Sequence, residues 1–168
     1  MDMVASKNCV LSKEVIDKKI KRMALQVAEQ NIEESELIIA GIVGNGQKVA
    51  SCLIKELKNL SSPAITEITI LLDKKNPVEV KMDKGINLSG KVIILVDDVA
   101  NTGRTLLFAL KPFLNAQVKK IQTLVLVERS HKLFPIQTDY SGLSISTTLQ
   151  EHIMVEEKDG QLTGAWLY

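Results

Sequence analysis

The sequence predicts an α/β fold, a parallel sheet flanked by helices, and two observations carry that prediction. Three apolar runs, at 37–43 (LIIAGIV), 92–96 (VIILV) and 121–127 (IQTLVLV), are rich in β-branched residues and show little apolar–polar alternation. Strands covered on both faces read this way. The first two runs also break on a short turn and continue into apolar residues at helical spacing. Strand, turn and helix in that order form the repeating unit of parallel sheets.

Taken in order, Ser12 can cap a first helix, and Glu14 lies in its first turn, where the helix dipole favours negative charge. Val15, Ile16, Ile20, Met23, Val27 and Ala28 make its buried stripe, with Lys18, Lys19, Lys21 and Arg22 interleaved. The run at 37–43 stops at Gly44-Asn45-Gly46, and Val49, Ala50, Leu53, Ile54 and Leu57 form the face of a second helix. Residues 64–71 mix Ile65, Ile68 and Ile70 with Thr66, Glu67 and Thr69, a strand pattern. Residues 73–91 lack helical periodicity; Val78, Val80 and Met82 alternate with charged residues, which suits a short β-arm, a lid or a plain surface loop. Pro112 should end or kink the helix that begins near Leu106. At the end of the chain, 153–157 and 165–168 flank Asp159-Gly160, the pattern of a closing β-hairpin.

The centre of the chain is 92–106, VIILVDDVANTGRTL. An apolar strand delivers Asp97 and Asp98 to its carboxyl end, where ligands bind in open α/β sheets. The turn that follows, Val99-Ala100-Asn101-Thr102-Gly103-Arg104-Thr105, brings backbone amides, hydroxyls and a cation to the same spot. Carboxylates suit sugar hydroxyls or a hydrated cation, and the turn suits a phosphate.

Composition narrows the setting. The 168 residues fit one domain spanning 1–168, and 45% hydrophobic with 24% charged residues is the make-up of a globular chain. A formal charge of +1 creates no global field for nucleic acid or a membrane surface. The opening MDMVASKNCVLS has no apolar core of a signal peptide, and no apolar run is long enough for a bilayer, so the expectation is a cytoplasmic protein without a membrane partner. Cys9 and Cys52 are too few for a disulfide framework or a zinc site.

The central stretch resembles the 5-phosphoribosyl-1-pyrophosphate signature of the type I phosphoribosyltransferases: apolar strand, two acidic residues, then T-G-R-T. From Val10 to Tyr168 the order of pieces is similar to the bacterial pyrimidine-operon attenuator and uracil phosphoribosyltransferases. That family has G-I-x-x-x-G, as at Gly41 to Gly46 here, and typically L-V-D-R-G-H-R-E-L-P-I-R-A-D-Y-V-G. In LVLVERSHKLFPIQTDYSG, Arg129, His131, Pro135, Ile136, Asp139, Tyr140 and Gly142 match it.

The resemblance implies the type I phosphoribosyltransferase fold with a small C-terminal hood, contributed mainly by about 130–168. It implies transfer of ribose 5-phosphate from phosphoribosyl pyrophosphate to a pyrimidine base, uracil, giving uridine monophosphate and pyrophosphate with Mg2+ as cofactor. Asp97 and Asp98 are then the catalytic pair, reaching the metal through ribose hydroxyls or water. The seven residues from Val99 to Thr105 take the 5′-phosphate, Gly44, Asn45 and Gly46 face pyrophosphate, and Arg129, Tyr140 and Ile145 lie at the base. The family's second role, regulation through the leader mRNA of pyrimidine genes, points to Lys18, Lys19, Arg22, Arg129, His131 and Lys132 as RNA contacts. A homodimer or homotetramer is the implied assembly.

Two departures weigh on turnover. The family's pyrophosphate loop carries Thr-Arg before its last glycine, whereas Gly44 and Asn45 stand here, and neutral Asn cannot replace a forked cation. The loop after Leu71 lacks the family's Tyr-Arg-Asp-Asp and carries Lys74 and Lys75, either of which can partly supply the missing charge. Slow transfer, or a weakly catalytic nucleotide-sensing regulator, is the expectation.

Overall fold

A computed structural model describes residues 7–60 and 63–168. In chain order the elements are β1 (Asn8–Ser12), α1 (Lys13–Gln30), β2 (Glu36–Ile42), α2 (Asn45–Asn59), β3 (Ala64–Leu72), β4 (Val80–Met82) and β5 (Val92–Ala100). Then follow α3 (Arg104–Ala109), α4 (Lys111–Leu114), β6 (Lys120–Arg129), β7 (Tyr140–Ile145), β8 (Ile153–Lys158) and β9 (Gln161–Leu167).

Six strands form the main sheet in the order β4-β3-β2-β5-β6-β7. All its pairings are parallel except β3 with β4. The central strands carry near-continuous apolar runs because both of their faces are covered. Leu37, Ile39, Val92, Ile94, Val96, Leu124 and Leu126 pack with Ile16, Ile20, Met23, Val49 and Leu53 of the two long helices. Ile38, Ala40, Ile42, Ile93, Leu95 and Val125, the alternate residues, pack with Leu106, Ala109 and Phe113. The two-residue strand period sorts one apolar run into two cores.

Local signals act as expected at several element ends. Ser12 Oγ accepts from the Val15 amide, the first-turn cap of α1. Pro112 falls in the first turn of α4, and the helix that starts at Arg104 has already stopped at Ala109. Asp159 (φ 51°) and Gly160 (φ 79°) make the two-residue hairpin turn between β8 and β9.

A second sheet, ordered β1-β9-β8, is antiparallel and forms the hood. Its make-up corrects the expected boundary of about 130–168. Tyr140–Ile145 extends the main sheet beside β6 instead, and the N-terminal strand Asn8–Ser12 joins the hood. β1 covers one edge of β9, so the open edge of the hood that remains near the main sheet belongs to β8. Leu11, Ile153, Val155, Leu162 and Ala165 seat the hood on the first core. Much of 73–91 is also fixed: β4 pairs with β3, Lys84 Nζ donates to Glu67 O, and Leu88 is buried. Among the described residues no helix is long and apolar enough to cross a membrane.

Candidate active site

The carboxyl end of β5, an interior strand of the main sheet, carries the acidic pair. Asp97 is buried, with 1% exposure, while Asp98 is partly open to the cleft. The Asp98 amide donates to Asp97 Oδ1 at 2.9 Å, and the Val99 amide donates to Asp98 Oδ1 at 2.9 Å. Lys74, from the segment after β3, places Nζ 3.1 Å from Asp97 Oδ1 and 3.7 Å from Asp98 Oδ1. Burial, and then the neighbouring Asp98, push the Asp97 carboxyl up to about 8, with Lys74 pulling the other way. Burial alone would lower the Lys74 pKa; attraction to Asp97 and Asp98 outweighs it, and the value is raised.

Two glycines permit this arrangement. A Cβ on Gly46 would lie 2.9 Å from Asp97 Oδ1 and 3.0 Å from Val96 O, so only glycine lets α2 start against the carboxylate. Gly103 has φ +82°, and a Cβ there would lie 2.7 Å from Ile136 Cγ2. The 130–136 segment backs the turn at this point, with the Leu133 and Phe134 amides both donating to Thr102 O at 3.0 Å. Thr102 Oγ1 accepts from the Arg104 amide at 3.2 Å, which rounds the corner into α3.

Acidic pair, turn and hood enclose a cleft of about 270 Å³. Of the residues expected at a site, Asn45, Asp97, Asp98, Val99, Ala100, Asn101, Thr102, Gly103 and Thr105 line it together. Asn45 Nδ2 donates to Val155 O at 2.9 Å, a strap from the loop after β2 to the hood. Asn101 Oδ1 is buried without a hydrogen-bond partner. Gly44 and Gly46 shape the loop without facing the cleft, and the Arg104 guanidinium lies over the Phe108 ring, 5.6 Å from its centre.

The expected base residues do not reach this cleft. Tyr140 is buried, and its hydroxyl lies 3.0 Å from the Oε1 atoms of Gln30 and Gln122. It belongs to the contact of α1 with the sheet because β7 is a main-sheet strand. Arg129 Nη2 donates to Thr148 O, and Ile145, its neighbour across the β6–β7 pair, packs on the first core. The wall opposite Asp97 is instead Ile153, Met154 and Val155 of the hood. Their signal in the sequence is the buried–exposed alternation of an edge strand, which carries no chemistry and so marks no site.

The expected RNA contacts separate too. Lys18 and His131 are exposed and Lys19 is half-buried. Arg22 Nη2 donates to Ser141 O at 2.8 Å and Gly142 O at 3.1 Å, fastening α1 to β7. Lys132 is removed from that set: its ammonium sits 3.0 Å from Glu128 Oε2, with only 10% of the side chain exposed.

Residues 10–159 match the family model described as the phosphoribosyl transferase domain. The chain belongs to that family. Proteins named bifunctional protein PyrR are similar along nearly the whole chain. The one from Haemophilus ducreyi is 34% identical, covering 90% of this chain and 91% of its own length. The one from Pelotomaculum thermopropionicum is 33% identical, covering 95% and 94%. Among solved structures, a hypoxanthine-guanine phosphoribosyltransferase from Bacillus anthracis superposes with TM-score 0.75 at 22% identity, covering 94% of this chain and 96% of that one. A hypoxanthine phosphoribosyltransferase from Trypanosoma cruzi, with its product IMP, gives 0.71 at 18%, covering 89% and 85%. The structural likeness establishes the type I phosphoribosyltransferase fold, and the sequence likeness establishes a phosphoribosyltransferase related to the PyrR proteins.

Proposed function

We propose that this phosphoribosyltransferase transfers ribose 5-phosphate from phosphoribosyl pyrophosphate to N1 of uracil, releasing pyrophosphate. The observation that carries the reading is the continuity of Asp97-Asp98 with the Thr102–Thr105 turn in one cleft, closed by the hood. The amides and hydroxyls of the turn hold the 5′-phosphate, with Thr102 and Thr105 oriented by the start of α3. The carboxyl groups of Asp97 and Asp98 hold the ribose hydroxyls. As the C1–O bond breaks, its electron pair leaves with pyrophosphate, and the acidic pair, through the Asp98 carboxylate, stabilises the positive charge left on the ribose. The N1 lone pair then forms the new C1–N bond, and the N1 proton is lost.

Uracil fits the free edge of β8. His152 and Tyr168 exchange both amide–carbonyl bonds, at 3.1 and 3.0 Å. Antiparallel alternation therefore turns the backbone groups of Ile153 and Val155 away from β9, toward the cleft, and of these, among the described residues, only Val155 O is engaged, by Asn45 Nδ2. The pyrimidine's alternating acceptor and donor atoms match such an edge, and Met154 lies beside it.

Among the described residues no three His, Cys, Asp or Glu side chains converge to hold a metal. Asp98 and Asp97 fit a Mg2+ shared with water and the ligand's oxygens, since that ion keeps several non-protein ligands. Bound there, Mg2+ neutralises charge growing on the pyrophosphate. Incubating the protein with phosphoribosyl pyrophosphate, Mg2+ and a panel of free bases tests the assignment. Uracil is expected to be converted, and the Asp97→Asn, Asp98→Asn double variant to be silent. Conversion of a purine with uracil ignored overturns it.

The relatives' name, bifunctional, favours a second reading in which the chain also regulates pyrimidine genes through leader mRNA. Exposed Lys18 and His131, with half-buried Lys19, remain for such contacts. Salt-sensitive binding to a structured pyrimidine-leader RNA, lost in Lys18→Glu with Lys19→Glu, is expected. Wild-type protein that ignores this RNA in low salt with nucleotide present removes the reading. The assembly, proposed as a homodimer or homotetramer in the cytoplasm, is read by light scattering.

A further inference from the structure

We propose that Lys74 is the resident counter-cation of the acidic pair, holding the place of a divalent ion so that metal enters only with the pyrophosphate-bearing substrate. The inference rests on the phosphoribosyltransferase reading of the cleft and adds an order of events to it. Its ammonium lies between the two carboxylates, 3.1 Å from Asp97 Oδ1 and 3.7 Å from Asp98 Oδ1. A divalent ion bound by the same oxygens would sit at van der Waals distance from a like charge in a partly desolvated site, so the two cations exclude each other.

Lys74 can leave without disturbing the sheet. It stands in the short segment between β3 and β4, where the ties around it are local, the Lys75 amide to Asp73 Oδ1, Asn76 N to Asp73 O and Val78 N to Asn76 O, and Lys111 Nζ holds only the far end at Val78 O. The strands on either side are anchored by their own pairing. Its side chain is 41% exposed on the cleft side while Asp97 is 1% exposed, so the ammonium reaches the pair from the open face.

A destination exists as well. Among the described residues that line the cleft, Lys74 is the one basic side chain, and the loop at Asn45 offers pyrophosphate no cation. Phosphate oxygens entering with their own metal ion therefore exchange partners with the chain. The ammonium moves from the carboxylates to the pyrophosphate, and the metal ion takes its place near the carboxylates. One lysine thus serves two anions in turn, and the protein by itself is a poor metal site.

Mn2+ binding, followed by electron paramagnetic resonance and calorimetry on protein without substrate, tests the exchange. Lys74→Met should bind Mn2+ about tenfold tighter than wild type or more, while Lys75→Met should not differ. Lys74→Gln keeps an amide donor for Asp97, so it carries the test if the methionine variant does not fold. Adding pyrophosphate should bring Mn2+ onto the wild type. Folded Lys74 variants with wild-type Mn2+ affinity, or tight Mn2+ binding by the wild type alone, overturn the proposal. Metal binding without substrate requires no turnover, so this result is separate from whether uracil is converted.

Discussion

Asp97 is the residue on which the site's electrostatics turn. Its carboxyl is buried, and Oδ1 accepts from both the Lys74 ammonium and the Asp98 amide. Its folded pKa, pushed up to about 8 by burial and then by Asp98, stands far above the ordinary 3.8. Between those values the folded chain holds a proton that the unfolded chain has released. The contribution of this group to stability is thus fully present below about 3.8 and lost as pH rises toward 8. Asp97→Asn should flatten that part of the pH profile of the melting temperature and raise it most near pH 8. A variant whose melting profile keeps the wild-type slope from pH 4 to 8 would show that another group sets it. The hydroxyls of the turn lend themselves to a simpler measurement. Thr102→Val and Thr105→Val should each weaken binding of uridine monophosphate by roughly 1.5–3 kcal/mol, the loss of a hydrogen bond to a charged acceptor. Calorimetry finding both affinities unchanged would take the 5′-phosphate off this turn.

At the scale of elements, the turn proposed for the 5′-phosphate is held by a segment further along the chain. Leu133 and Phe134 bond to Thr102 O, and Ile136 packs where Gly103 leaves room. Gly103→Ala should therefore cost on the order of 1–3 kcal/mol through the left-handed backbone, with further loss from the contact with Ile136. Chemical denaturation would show it, and the same variant should bind phosphate-bearing ligands more weakly because the turn shifts. Unaltered stability would mean that the 130–136 segment gives way freely. This tie also explains what could be read in the chain beforehand. Strand, turn and helix around Asp97 announce themselves because apolar runs and turn residues act locally. Likeness of motif points Tyr140 and Arg129 to the base, but their positions follow from β7 joining the main sheet, a long-range pairing that no local pattern records. Ile153 and Val155 serve through backbone groups, which every residue possesses, so their type gives no hint of the role.

For the whole molecule, the question is how fast it turns over if, as proposed, a neutral loop faces pyrophosphate. Charge grows on the leaving oxygens as the C1–O bond breaks, so cations aimed there act most strongly in the transition state. Asn45 contributes an amide that is already used, its Nδ2 bonded to Val155 O and tying the sheet loop to the hood. Asn45→Arg would bring a forked cation and release that strap. The cation acts at the step where charge develops, and a single well-placed donor is worth on the order of 2–4 kcal/mol there. The strap is one neutral hydrogen bond, about 0.5–1.5 kcal/mol of folding stability. The larger effect should win: kcat for uracil transfer rises in Asn45→Arg while the melting temperature falls slightly. Pre-steady-state measurement of pyrophosphate release, compared between the two proteins, separates chemistry from hood opening. Robust wild-type turnover that drops in Asn45→Arg would show that the strap between sheet and hood, and not the missing charge, governs the rate.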